Sequence, residues 1–99
     1  MIRILLAEDD EIMRITLYDR LKSKGWKVGQ AADGKEALDK LKKQKYHLVI
    51  SDIRMPGLDG IELMRHVQRL YPRTEVILMT AFGEVKDAVD CLKNEIGRA

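Results

Sequence analysis

The sequence predicts an α/β fold, a parallel sheet with helices on both faces, and three observations carry that prediction. Short apolar runs, too brief for helices and bounded by turn residues, alternate along the chain with stretches of helical periodicity. The order that results is four strands alternating with four helices, which calls for right-handed crossovers between parallel strands. Finally, 99 residues at 45% hydrophobic and 34% charged make one domain with one modest core and leave no room for a second.

Arg3-Ile4-Leu5-Leu6-Ala7 is nearly continuous in apolar character and ends in Glu8-Asp9-Asp10, the pattern of a buried parallel strand running into a polar loop. Asp10 is placed to cap a first helix over roughly Glu11 to Lys24, with Met13, Leu17 and Leu21 on its inner face and Gly25 as its left-handed stop. Trp26, Val28 and Gln30 alternate with Lys27 and Gly29 in a weaker second strand. Asp33 with Glu36 has capping-box spacing, and the helix that follows turns Ala37, Leu38 and Leu41 inward.

His47-Leu48-Val49-Ile50-Ser51-Asp52 is a second apolar run ending in a carboxylate, the third strand. Met55-Pro56-Gly57-Leu58 is a loop, because proline disfavours a helical residue before it and glycine relaxes the backbone after it. Asp59 and Glu62 repeat the capping-box spacing, and Leu63, Met64, Val67 and Leu70 form one face of a third helix that stops before Pro72. Met13, Met64 and Met79 fall on apolar faces and are expected in the core. Val76 to Thr80 is the fourth strand, and Val85, Ala88, Val89 and Leu92 mark a fourth helix.

Composition excludes several classes of function. The apolar runs are too short to cross a bilayer, and Met1-Ile2-Arg3 does not open a signal peptide, so the expected location is the cytoplasm. Cys91 has no partner for an internal disulfide. Lys40, Lys42, Lys43 and Lys45 gather at a helix end, where cations oppose the macrodipole, and are read as a solvated terminus and not as a nucleic-acid patch. His47 and His66 lack a second ligand at metal-binding spacing.

In open sheets of this kind ligands gather outside the carboxyl ends of the strands, where Glu8, Asp9, Asp52 and Thr80 all fall. Carboxylates brought together there hold either a proton or a cation, and an all-oxygen set favours Mg²⁺. Asp9 and Asp52 are the expected direct ligands, Glu8 acts through a water, and the backbone carbonyl of Arg54 offers a further oxygen. With its charge neutralised, Asp52 can attack phosphorus in line, and the Thr80 hydroxyl can donate to a phosphoryl oxygen.

Three segments, Leu5-Leu6-Ala7-Glu8-Asp9-Asp10, Asp52-Ile53-Arg54-Met55-Pro56-Gly57-Leu58-Asp59-Gly60 and Met79-Thr80-Ala81, resemble the signatures of response regulator receiver domains in order and spacing. The resemblance runs from Met1 to about Asn94. It implies a flavodoxin-like doubly wound sheet, here incomplete with strand order 2-1-3-4. It also implies Asp52 as phosphoacceptor, Glu8 and Asp9 as the acidic pair, Thr80 as the switch hydroxyl and a sensor histidine kinase as donor. Thr80-Ala81-Phe82-Gly83 and the Asp52 loop are closest to receivers of the nitrogen-regulator class.

After Asn94 the sequence departs from that pattern, reading Glu95-Ile96-Gly97-Arg98-Ala99 where the family continues into a fifth strand with a Lys-Pro and a fifth helix. A receiver truncated at that point lacks the lysine that grips the phosphoryl group, and neither Lys86 nor Lys93 stands in for it. Phosphotransfer is then expected to be impaired, and an exposed fourth strand to drive homodimer or higher oligomer formation through strand four or helix four. The reading is of a signalling domain, not an enzyme, without direct contact to nucleic acid or membrane. Its alternatives are an oligomerising interaction module with a relic acidic site and a Mg²⁺-dependent phosphohydrolase.

Overall fold

The computed structural model describes residues 1–79 of the chain. The expected fourth helix, Thr80, Lys86, Lys93, Cys91 and the altered tail lie outside the described residues. Within them the elements run β1 (Arg3–Ala7), α1 (Glu11–Ser23), β2 (Lys27–Ala31), α2 (Gly34–Lys43), β3 (Leu48–Asp52), α3 (Gly60–Leu70) and β4 (Glu75–Met79).

All strand pairs are parallel and the order is β2-β1-β3-β4, so β1 and β3 are central and the chain reverses direction across the sheet between them. Because successive strand residues face opposite sides, β1 divides its apolar residues between two layers. Leu5 and Ala7 join Val49, Val76 and Leu78 in a core closed by Ala37 and Leu41 of α2 and by Leu63, Met64 and Val67 of α3. Ile4 and Leu6, equally buried, belong to the other face, where α1 packs on β1 and β2.

The helix ends follow the sequence. Asp10, Asp33 and Asp59 each accept a hydrogen bond from the backbone N–H three residues on, satisfying donors that the first turn leaves unpaired. Only Asp59 makes the full reciprocal box, with Glu62 accepting from the Asp59 N–H; Glu36 instead accepts from Ala32 N–H at 2.8 Å. Gly25 follows α1 with φ +89°, the left-handed turn expected of it.

Three packing expectations are corrected. Leu70 is half exposed, because it stands at the last turn of α3, beyond the reach of the sheet. Met13 and Met79 are only partly buried. In α1 no residue is fully buried, Leu17 and Leu21 included; among the described residues its main packing is against β2 and β1.

Candidate functional site

The acidic site is assembled at the carboxyl ends of β1 and β3, adjacent strands in the sheet. Hydrogen bonds fix the loop after β1. Glu8 N–H donates to the Ala31 carbonyl at 3.0 Å, Arg14 Nη1 donates to the Glu8 carbonyl at 2.8 Å, and the Asp10 N–H donates to Glu8 Oε2 at 2.9 Å. The Glu8 carboxylate is thereby folded back into the site, and only 1% of the residue is exposed. Arg14 could not be assigned this role from sequence, because nothing in its spacing separates it from an exposed helix arginine.

The loop after β3 is held as firmly. Ile53 N–H donates to the Met79 carbonyl at 3.0 Å, Gly60 N–H to the Ile53 carbonyl at 2.9 Å, and Ser51 Oγ to the Asp52 carbonyl at 2.9 Å. Arg54 N–H approaches Asp52 Oδ1 at 3.4 Å. Beside this turn opens a cleft of about 500 Å³ lined by Ile53, Arg54, Met55, Pro56 and Asp59.

Glu8, Asp9 and Asp52 each offer a carboxylate oxygen, and these atoms all lie within 4.8 Å of one another. Glu8 and Asp52 are buried, whereas Asp9 is exposed and opens the cluster to solvent. Crowding and burial act on the protons. Burial pushes Glu8 up to about 7, opposed by the Asp10 N–H and reinforced by the Asp52 and Asp9 carboxylates. Burial likewise raises Asp52 above its ordinary value, with the Arg54 N–H working against it and Asp9 with it. Three oxygen donors of net negative charge, two of them holding protons more tightly than usual, are the chemistry of a site suited to a hard cation such as Mg²⁺.

Of the residues singled out in the sequence, the fold therefore brings together Glu8, Asp9 and Asp52; Thr80 is outside the described residues. His47 is no ligand: its Nδ1 accepts a hydrogen bond from the Arg3 N–H at 3.0 Å, tying the start of β1 to the start of β3. His66 pairs with Arg69 on α3.

The family model for the response regulator receiver domain matches residues 4–98. The chain belongs to the response regulator receiver domain family. It is 38% identical over 91 residues to the response regulator protein FleR of Pseudomonas aeruginosa, covering 92% of this chain and 19% of that protein. It is 37% identical over 83 residues to sporulation initiation phosphotransferase F of Bacillus subtilis, covering 84% of this chain and 67% of that one. The receiver domain thus spans about a fifth of FleR and of the transcriptional regulatory protein GlrR of Escherichia coli. Among solved structures, the response regulator TrrA of Thermotoga maritima in complex with Mg(2+)-BeF superposes with a TM-score of 0.82 at 32% identity, over 92% of this chain and 81% of that one. A second structure, the histidine kinase ThkA in complex with TrrA, matches with a TM-score of 0.78 at 36% identity, over 84% and 72% of the two chains. Receiver domains are signalling domains that accept phosphoryl groups from histidine kinases, and no helix among the described residues is long and apolar enough to cross a membrane.

Proposed function

We propose that this receiver domain takes a phosphoryl group on Asp52 from a sensor histidine kinase in the cytoplasm, with Mg²⁺ held by Asp9, Asp52, the Arg54 backbone carbonyl and, through a water, Glu8. The observation that carries the proposal is the convergence of Glu8, Asp9 and Asp52 within 4.8 Å at the ends of two adjacent strands. The kinase donor is supported by the likeness to TrrA, a response regulator solved together with the histidine kinase ThkA. The Mg(2+)-BeF complex of TrrA supports the choice of metal.

When bound, the metal neutralises the carboxylates and the phosphoryl oxygens that approach them. The chain's own residues do the rest. Asp52 is held at the end of β3 by the backbone bonds around it, so its carboxylate meets the donor in one orientation. One of its oxygens bonds to phosphorus as the P–N bond of the donor's phosphohistidine breaks. The electron pair stays on the imidazole nitrogen, which takes a proton from solvent, and Asp52 becomes an acyl phosphate. Glu8 must release its proton for the site to carry full charge, and Asp9, open to solvent, is where the donor enters. The Thr80 hydroxyl donates to a phosphoryl oxygen of the product.

Association through β4 completes the proposal. Among the described residues β4 pairs only with β3, and Ile77 is 47% exposed on it. A homodimer or higher oligomer through strand four or helix four would cover that edge. Light scattering at micromolar concentration should report more than one chain per particle, and Ile77→Lys should shift it to one.

Acetyl phosphate with Mg²⁺ tests the phosphoryl chemistry. Intact mass should rise by one phosphoryl group in the wild type and not in Asp52→Asn; a wild type that gains nothing contradicts the proposal.

A further inference from the structure

At the opposite edge of the sheet from the acidic site, the amino ends of β3 and β4 border a groove of about 800 Å³, within the size range of small-molecule sites. Four cations line it: Lys42 and Lys43 from the end of α2, Lys45 from the loop into β3, and Arg73 from the loop into β4. No carboxylate lines it among the described residues, and none of the four cations forms an ion pair there. Neutralising the carbonyl end of α2 accounts for Lys42 and Lys43. It does not account for Lys45 and Arg73, which stand on separate loops.

The groove is also built. Thr74 Oγ1 donates to the Tyr46 carbonyl at 2.7 Å, Glu75 N–H to the His47 carbonyl at 3.0 Å, and Thr74 N–H to the Tyr71 carbonyl at 2.9 Å. These bonds lock the two loops together across the sheet edge. Its apolar lining is Leu41, Tyr46, Tyr71 and Pro72, so a flat ring has a surface to lie on beside the positive charge.

We infer that this groove binds a nucleoside polyphosphate, its ring against Tyr71 and Pro72 and its phosphates among Lys42, Lys43, Lys45 and Arg73. Arginine supplies a planar fork for two phosphate oxygens and the lysines supply point charges. The site is distinct from the phosphoacceptor, lying at the other ends of the same strands.

The full chain should be titrated with ATP in the presence of EDTA, which keeps metal-bound nucleotide from the acidic site, and heat release followed by calorimetry. Saturable binding is expected. The double variant Lys43→Glu with Arg73→Glu should weaken it about tenfold or more, the loss of two charge-assisted contacts. The circular dichroism melt of that variant should stay cooperative and fall by only a few degrees, since both side chains are exposed and the charge reversed at the end of α2 costs about 1 kcal/mol. Inorganic tripolyphosphate, which lacks the ring, should bind more weakly than ATP. No saturation at millimolar ATP, or unchanged affinity in a folded double variant, would overturn the inference. Equal affinity for tripolyphosphate would overturn the nucleoside assignment, and tighter binding of polyglutamate would overturn it in favour of an acidic protein segment.

Discussion

Gly60, the first residue of α3, lies directly against the backbone of Asp52: a Cβ at Gly60 would stand 2.2 Å from the Asp52 carbonyl oxygen and 2.9 Å from its carbonyl carbon. The end of β3 and the start of α3 are in backbone contact, and the position of the phosphoacceptor depends on the absence of a side chain eight residues later.

Gly60→Ala should therefore destabilise the domain by about 3 kcal/mol, at the upper end of overpacking costs, because backbone and not a flexible side chain must move. Gly57, in the same loop, differs in kind. It has φ +72° with open space around it, so Gly57→Ala should cost only about 1 kcal/mol for the left-handed conformation, and Gly57→Asn less. Urea denaturation separates the two, and phosphoryl acceptance should fall with Gly60→Ala alone. Equal effects at both positions would show that conformation, not contact with Asp52, governs the loop.

Asp59→Ala should cost about 1 kcal/mol, since it removes the carboxylate that accepts from the Glu62 N–H at the start of α3 and leaves only the bond from the Asp59 backbone N–H to Glu62. Asp59→Asn keeps an acceptor and should cost less. Thermal melts of the two variants check the ordering.

Strand order and site were legible in the sequence to different depths. The runs ending at Ala7 and Asp52 gave β1 and β3, because a parallel strand buried on both faces has to be apolar almost throughout, and their terminal carboxylates then fall at one edge of the sheet. Helix packing was less legible. Leu70 fits the periodicity of α3 yet is half exposed, because periodicity specifies a face and not how far the neighbouring sheet extends. Tyr46 was missed altogether: it is a single aromatic between Lys45 and His47, and its burial comes with a tertiary contact to Gly29. The part played by Arg14 was invisible for the same reason, since its partner is a backbone carbonyl in a preceding loop.

That contact between Gly29 and Tyr46 gives a coupled prediction. A Cβ at Gly29 would lie 2.6 Å from the Tyr46 hydroxyl oxygen and 3.3 Å from two ring carbons. Gly29→Ala should destabilise by about 1–2 kcal/mol in the wild type and by less when Tyr46→Phe has removed the hydroxyl. Additive effects in the double-mutant cycle would show that the ring moves aside at no cost.

The contribution of the acidic cluster to metal-free stability should fall as pH rises from about 4.5 to about 7. Glu8 is raised from 4.5 to about 7 in the folded domain, so the folded state binds the extra proton and its stabilisation is fully present below 4.5 and lost as pH climbs to about 7. Asp52 is shifted in the same direction. The loss should be of order 2 kcal/mol, moderated by solvent reaching the cluster at Asp9. Glu8→Gln should flatten the profile, and Mg²⁺ should restore stability most at the upper end. Denaturation curves at a series of pH values in EDTA, showing instead a rise in stability with pH that Glu8→Gln abolishes, would contradict the assignment.

The most direct test of Asp52 as the phosphoacceptor is to trap the acyl phosphate with borohydride after incubation with acetyl phosphate and Mg²⁺, then map the reduced residue by peptide mass spectrometry. Reduction is predicted at Asp52 alone, in an amount that depends on Mg²⁺. Reduction at Glu8 or Asp9, or none at any carboxylate, would contradict it.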